Sequence, residues 1–119
     1  MACSGTVLVV DDDVEIRDTV SALLQHEGYT VIRAENGKQA LDLLEARQSV
    51  TWLGDDLPFW VKVAHKWGDL PDARHDAGIV FSPRGSFAIA VLTEDAAPDE
   101  AAARIAQASR AVYDYLGNR

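Results

Sequence analysis

Residues 63–81 read VAHKWGDLPDARHDAGIVF. In VKVAHKW, Val61, Val63, His65 and Trp67 alternate with Lys62, Ala64 and Lys66, which is the period of a strand with two unlike faces. AGIVFS and SFAIAVLTE downstream are two more strand segments. The turn signal PRG between them predicts an antiparallel hairpin. Pro98, followed by Asp99 and Glu100, opens a last helix, because proline suits the first helical position and acids complement the dipole there. Its inner stripe is Ala101, Ile105, Ala108, Val112 and Leu116, and Gly117-Asn118 ends it.

Upstream the pattern differs. TVLVV, Thr6 to Val10, is a β-branched run that stops at three aspartates, and it predicts a strand buried on both faces. Ile16, Val20, Leu23 and Leu24 recur at helical spacing and form the predicted inner stripe of a first helix. Asp12 with Glu15 three residues later has the form of a capping box, and Gly28 stops the helix. YTVIRA, Tyr29 to Ala34, is a second strand. ENGKQALDLLEARQ is a second helix with Ala40, Leu41 and Leu44 inward. SVTWLGDDLPFW has no clear period and is a connector. The element order is β-α-β-α-β-β-β-α, with right-handed crossover expected in the first half.

The chain has 119 residues, enough for one core of ordinary size, and 48% of them are apolar, which excludes disorder. A net charge of -8 disfavours nucleic acid and anionic membrane as partners, since both select a basic surface. Cys3 is the one cysteine, so no internal disulfide forms, as suits a reducing compartment. MACSGTVLVV lacks a basic segment before its short apolar run, and no stretch approaches the roughly 20 apolar residues of a membrane helix. A soluble, cytoplasmic protein is the expectation.

VLVVDDD, IRDTVSALLQHEGYTVIRA and NGKQALDLLE resemble the first half of a response-regulator receiver domain, over residues 6 to about 48. That resemblance implies a flavodoxin-like parallel sheet, Mg²⁺ binding by an acidic pair at Asp11 and Asp12, and phosphorylation of an aspartate that ends a third strand. The third strand is absent here. KVAHKWG, RHDAGIVFSPRGSFAIAVLTED and the last helix resemble the C-terminal part of a class A β-lactamase, over about 58–117. That resemblance implies three antiparallel strands and a helix lying on them. It places the family's Lys-Thr-Gly motif on Lys66, Trp67 and Gly68, with tryptophan in place of threonine.

Each candidate site has a plain structural reading beside the chemical one. Asp11 and Asp12 are either a strand end with a helix cap or a weak Mg²⁺ site, because magnesium needs one or two carboxylates plus water. Lys66 is either an anion-binding lysine or a charge that guards an edge strand. The chain holds neither Ser-x-x-Lys nor Ser-Asp-Asn, the partners serine β-lactamase chemistry uses. His26, His65 and His75 have no metal-ligand spacing. Trp52, Phe59, Trp60 and Trp67 gather near the join and are expected to pack the interface between two fragments.

These readings predict one chimeric α/β domain over residues 1–119, with a connector at about 49–57. It is a three-layer α/β/α sandwich on a mixed five-stranded sheet ordered 2-1-5-4-3, in which strand 1 pairs with the last strand. The expected role is that of a designed or laboratory-recombined chimera, a new fold without evolved activity and not an enzyme. The alternatives are a degenerate receiver-like module with weak divalent-metal binding, and an inactive remnant of a serine β-lactamase. No cofactor is expected apart from weak Mg²⁺. No partner is expected either, the chain being a monomer or an edge-paired or segment-swapped dimer.

Overall fold

The computed structural model describes residues 5–46 and 52–117. It is a mixed α/β chain that divides into two units, Met1–Leu43 and Leu44–Arg119.

In the first unit β1, Thr6–Val10, runs parallel to β2, Thr30–Ala34, in the register Thr6 with Thr30 through Val10 with Ala34. Helix α1, Val14–His26, connects them. β1 is not buried on both faces: Val7, Leu8 and Val9 are half-buried, while Thr6 and Val10 are exposed. Among the described residues it has a strand neighbour on one side only. The predicted inner stripe of α1 is corrected as well. Ile16, Val20 and Leu23 are exposed, and the side turned inward carries Arg17, Ser21 and Leu24. Arg17 donates from Nη1 to the Asp11 carbonyl at 2.8 Å. The stem of an arginine can cover apolar surface while its head finds a polar partner, so a basic residue serves on an inward face. Helix α2, Gly37–Ala46, follows β2 after Asn36, whose Oδ1 accepts from the Gln39 amide.

The cap of α1 is Asp13, not Asp12. Asp13 Oδ1 accepts from the amides of Glu15 at 2.8 Å and Ile16 at 3.2 Å. Asp13 has extended backbone geometry, which aims its side chain at the free amides of the first turn. Asp13→Ala is expected to cost about 1 kcal/mol of helix stability, and Asp12→Ala much less. Helical circular dichroism followed through thermal melting of both variants checks the order. Gly28, at φ 97, follows the end of the helix, where the left-handed region favours glycine.

In the second unit β3, Lys62–Leu70, pairs antiparallel with β4, Ala73–Phe81, and β4 with β5, Phe87–Leu92. Leu70 faces Ala73, so Pro71 and Asp72 alone make the first turn. The PRG turn is where the sequence put it, with Gly85 at φ 135. On β5 burial alternates strictly: Phe87, Ile89 and Val91 are half-buried, and Ala88, Ala90 and Leu92 are exposed. Register places Val63, His65 and Trp67 of β3 and Asp76, Gly78 and Val80 of β4 on the same face as Phe87, Ile89 and Val91. Helix α3, Pro98–Gly117, covers that face together with a short 3-10 turn at Trp52–Gly54. The core is Trp52, Leu53, Leu57, Val63, Val80 and Ile105. Ala101 and Ile105 are fully buried, as the stripe of the last helix predicted.

The five-stranded sheet ordered 2-1-5-4-3 does not form. There are two sheets, β1-β2 and β3-β4-β5, and β1 does not pair with β5. Each sheet closes through local connections, a helix in the first and tight turns in the second, and the vacancy of two edges does not by itself pair them.

The connector is more ordered than its composition suggested. Trp52, Leu53 and Leu57 are buried in the core of the second unit. Its residues 47–51 lie outside the described residues. Phe59 and Trp60 do not pack as expected: they are 99% and 54% exposed. A tight turn, closed by Val61 N donating to the Pro58 carbonyl at 2.9 Å, carries both side chains outward. Among the described residues no helix is long and apolar enough to cross a membrane.

Candidate functional site

Two places hold the residues that sequence reasoning singled out. The first is the acidic turn. Asp11 Oδ1 accepts from the Asp13 amide at 2.9 Å, so one of its carboxylate oxygens is engaged within the turn. Asp13 caps α1, and Asp12 is exposed. Among the described residues no group of three or more His, Cys, Asp or Glu side chains is placed to hold a metal ion. The hydrogen bonds of the turn are those of a strand end and a helix cap.

The second place is the β3–β4 hairpin. β3 is an outer strand of its sheet, and Lys66, Trp67 and Gly68 lie in its middle. Trp67 faces the core side, edge-on to Trp52 with ring centroids 5.7 Å apart. Lys66 and Gly68 face the opposite side. Lys66 is exposed; its Nζ donates to the Trp67 carbonyl at 2.6 Å and lies 5.1 Å from the Trp67 ring centroid. His75 stands directly across from Gly68 on that side. Its Nδ1 accepts from the Thr93 amide at 3.0 Å. That bond requires an unprotonated Nδ1, so in the neutral ring the proton is on Nε2. Lys66 and His75 therefore offer hydrogen-bond donors on one face of an edge strand, and Gly68 leaves space between them.

Arg74, a further cation of this hairpin, is engaged elsewhere. Its Nε donates to Asp69 at 3.1 Å, its Nη1 to the Pro98 carbonyl at 3.1 Å, and its guanidinium lies 4.9 Å from the Trp52 ring centroid. At the start of β3, an open cleft of about 360 Å³ is lined by Gly54, Leu57, Pro58, Phe59, Val61 and Val63, with Asp55 on its wall. Lys66 does not line it.

His65 and His75 lie on opposite faces of the sheet. His65 belongs to a constellation that the sequence did not reveal. Its Nδ1 lies 2.7 and 2.8 Å from the two carboxylate oxygens of Asp76, and both side chains are almost wholly buried. Asp76 Oδ2 also accepts from the Leu53 amide at 3.2 Å. Gly78, directly opposite His65, leaves the imidazole room to lean across to Asp76. A group this buried cannot meet a substrate, so the pair is structural: it ties the Trp52–Gly54 turn to the sheet. Only the register, fixed by the Pro71-Asp72 turn, brings these residues together.

Comparison with known proteins gives two likenesses. The model of the β-lactamase enzyme family matches residues 14–116. The β-lactamase of Sphaerobacter thermophilus superposes with a TM-score of 0.63 at 25% identity, over 84% of this chain and 38% of that one. The extended-spectrum β-lactamase TLA-1 does so with a TM-score of 0.57 at 33% identity, over 66% of this chain and 33% of that one. The transcriptional regulatory protein CpxR of Escherichia coli is 51% identical over 39 residues, 33% of this chain and 17% of the regulator. The chain thus spans under a fifth of that regulator, about a third of TLA-1 and 38% of the Sphaerobacter enzyme. Similarity to two families agrees with the chimeric reading. The expectation that the chain is not an enzyme is overturned by the family match and by these neighbours, which are enzymes of one fold.

Proposed function

The chain belongs to the β-lactamase enzyme family, and from that premise we propose that its second unit supplies the wall on which a β-lactam docks. The ligand lies along the outer edge of β3. Lys66 faces its carboxylate, and His75 Nε2 donates beside it. The observation that carries this reading is the exposed Lys66 on an outer strand, at the position of the family's Lys-Thr-Gly motif. Docking is the part of the family's activity assigned to these residues. No nucleophile is assigned, because the sequence holds no Ser-x-x-Lys. Trp67, where the motif has threonine, packs on the core side, and Lys66 Nζ, 5.1 Å from its ring centroid, couples its fluorescence to the ligand's arrival.

Titration with penicillin G, followed by tryptophan fluorescence, tests the assignment. A saturable change is expected, with Lys66→Ala weakening affinity by roughly fivefold, the worth of one exposed charge pair at about 1 kcal/mol. No saturable change in the parent, or equal affinity in the variant, would sink it.

A second reading concerns origin. We propose that the chain is a fusion of a receiver-type segment to a β-lactamase-type segment. The boundary between the two units, at Leu43 and Leu44, supports this by falling near the end of the receiver-like segment. The family match, however, begins at residue 14 and so reaches back across α1, β2 and α2.

A further inference from the structure

β5 is the other outer strand of the second sheet. It pairs with β4 from Val80–Phe87 to His75–Leu92, and among the described residues nothing pairs with its opposite edge. Outer strands are ordinarily guarded by charge, proline, a bulge or a cover. FAIAVL, residues 87–92, has no charged residue, proline or glycine, and its pairing with β4 runs without a bulge. Ala88, Ala90 and Leu92 are exposed, Leu92 at 76%. An unguarded, regular and apolar edge of about 20 Å is a template for another strand.

We propose that this edge pairs with β5 of a second copy of the chain. The strand is complementary to itself. A twofold axis normal to the sheet makes the two β5 strands antiparallel and keeps the core faces of both copies on one side. Directly opposed residues in an antiparallel pair point to the same side, so odd positions must meet odd positions. The two such registers of greatest overlap are these. In one, Ile89 meets Ile89 and Phe87 meets Val91. In the other, Ala90 meets Ala90 and Ala88 meets Leu92. Either one makes the row Phe87, Ile89 and Val91 continuous through a six-stranded sheet, and puts only alanine and leucine at the centre of the other face. An isologous contact of this kind closes at two copies and does not propagate. The net charge of -8 opposes association over the rest of the surface, so salt strengthens the dimer by screening that repulsion.

Sedimentation equilibrium of the full chain up to about 200 μM tests this, a range that detects even weak pairing. The expected result is a dimer that tightens as salt rises. Ala88→Lys together with Ala90→Lys opposes like charges in both registers and is expected to weaken association roughly tenfold or more. Ala88→Glu with Ala90→Glu does the same alone, and mixing the two variants restores dimer. That rescue requires both variants to be folded, so it separates a blocked edge from lost structure. A parent that stays monomeric throughout overturns the proposal, as does a dimer indifferent to the charges. Slow exchange, in a monomer, of the β5 amides that point away from β4 also overturns it, because it gives that edge to another segment of the same chain.

Discussion

Gly78→Ala is expected to unfold the second unit at temperatures where the parent is folded. A Cβ at position 78 would lie 2.5 Å from the Ala64 carbonyl oxygen, 2.6 Å from His65 Cβ and 2.8 Å from His65 Cα. Two of those three atoms are backbone of the paired strand, and the third is fixed to it. They cannot turn aside as the end of a lysine would, so β3 and β4 must separate where His65 and Gly78 face each other. Overpacking a core typically costs about 1–3 kcal/mol, and a clash with backbone belongs at or above the upper end. Domains of this size have only about 5–15 kcal/mol in all. Gly68→Ala is the control. It lies on the same hairpin, but its nearest neighbour would be His75 Cδ2 at 4.0 Å, an ordinary contact. Neither glycine has a positive φ, so the difference between the variants measures space rather than backbone freedom. Urea unfolding followed by tryptophan fluorescence compares them. Equal midpoints would mean that the approach at Gly78 relaxes easily.

Gly78 also marks the limit of what the sequence could tell. Strand period is a local property, and the alternation in residues 61–67 located β3, while the PRG turn located the hairpin of β4 and β5. A glycine that keeps two strands close is legible only once the register is known, since nothing within AGIVF distinguishes Gly78 from a turn residue. His65 and Asp76 stand eleven positions apart and meet only because Pro71 and Asp72 form a two-residue turn. In α1 the periodicity was correct and the direction was not. Ile16, Val20 and Leu23 do lie on one helix face, but a helix with one polar partner at Arg17 can turn a different face to its sheet. The acidic turn was misread by one residue, because DDD offers three adjacent caps and only backbone geometry chooses Asp13. Pairing of β1 with β5 was inferred from two vacant edges. Vacancy says that an edge needs cover and does not name what provides it. Lys66 alone, exposed on an outer strand, could be placed from the alternation of its neighbours, and its likeness to a motif then gave it a role.

Asp76→Ala is expected to cost about 3–5 kcal/mol, as breaking a buried pair by removing one partner does. The variant strands two donors at once: His65 Nδ1, in a side chain 2% exposed, and the Leu53 amide, in a residue wholly buried. Neither is replaced by water unless the core opens, and each unsatisfied group costs about 1–3 kcal/mol. His65→Leu with Asp76→Leu removes both side chains and restores apolar volume, so the imidazole is no longer stranded. The double variant is expected to be more stable than Asp76→Ala by about 2 kcal/mol, even though Leu53 still lacks an acceptor. Asp76→Asn sits between them, since its carbonyl still accepts from the Leu53 amide. The damage should begin beside Leu53, where Trp52 is buried against Trp67. A red shift of tryptophan emission is therefore expected in Asp76→Ala before any loss of strand signal in circular dichroism. Additive costs in His65→Leu, Asp76→Leu and their double variant would mean that His65 and Asp76 do not act as a unit. The short turn at Trp52–Gly54 would then be held to the sheet by apolar burial alone.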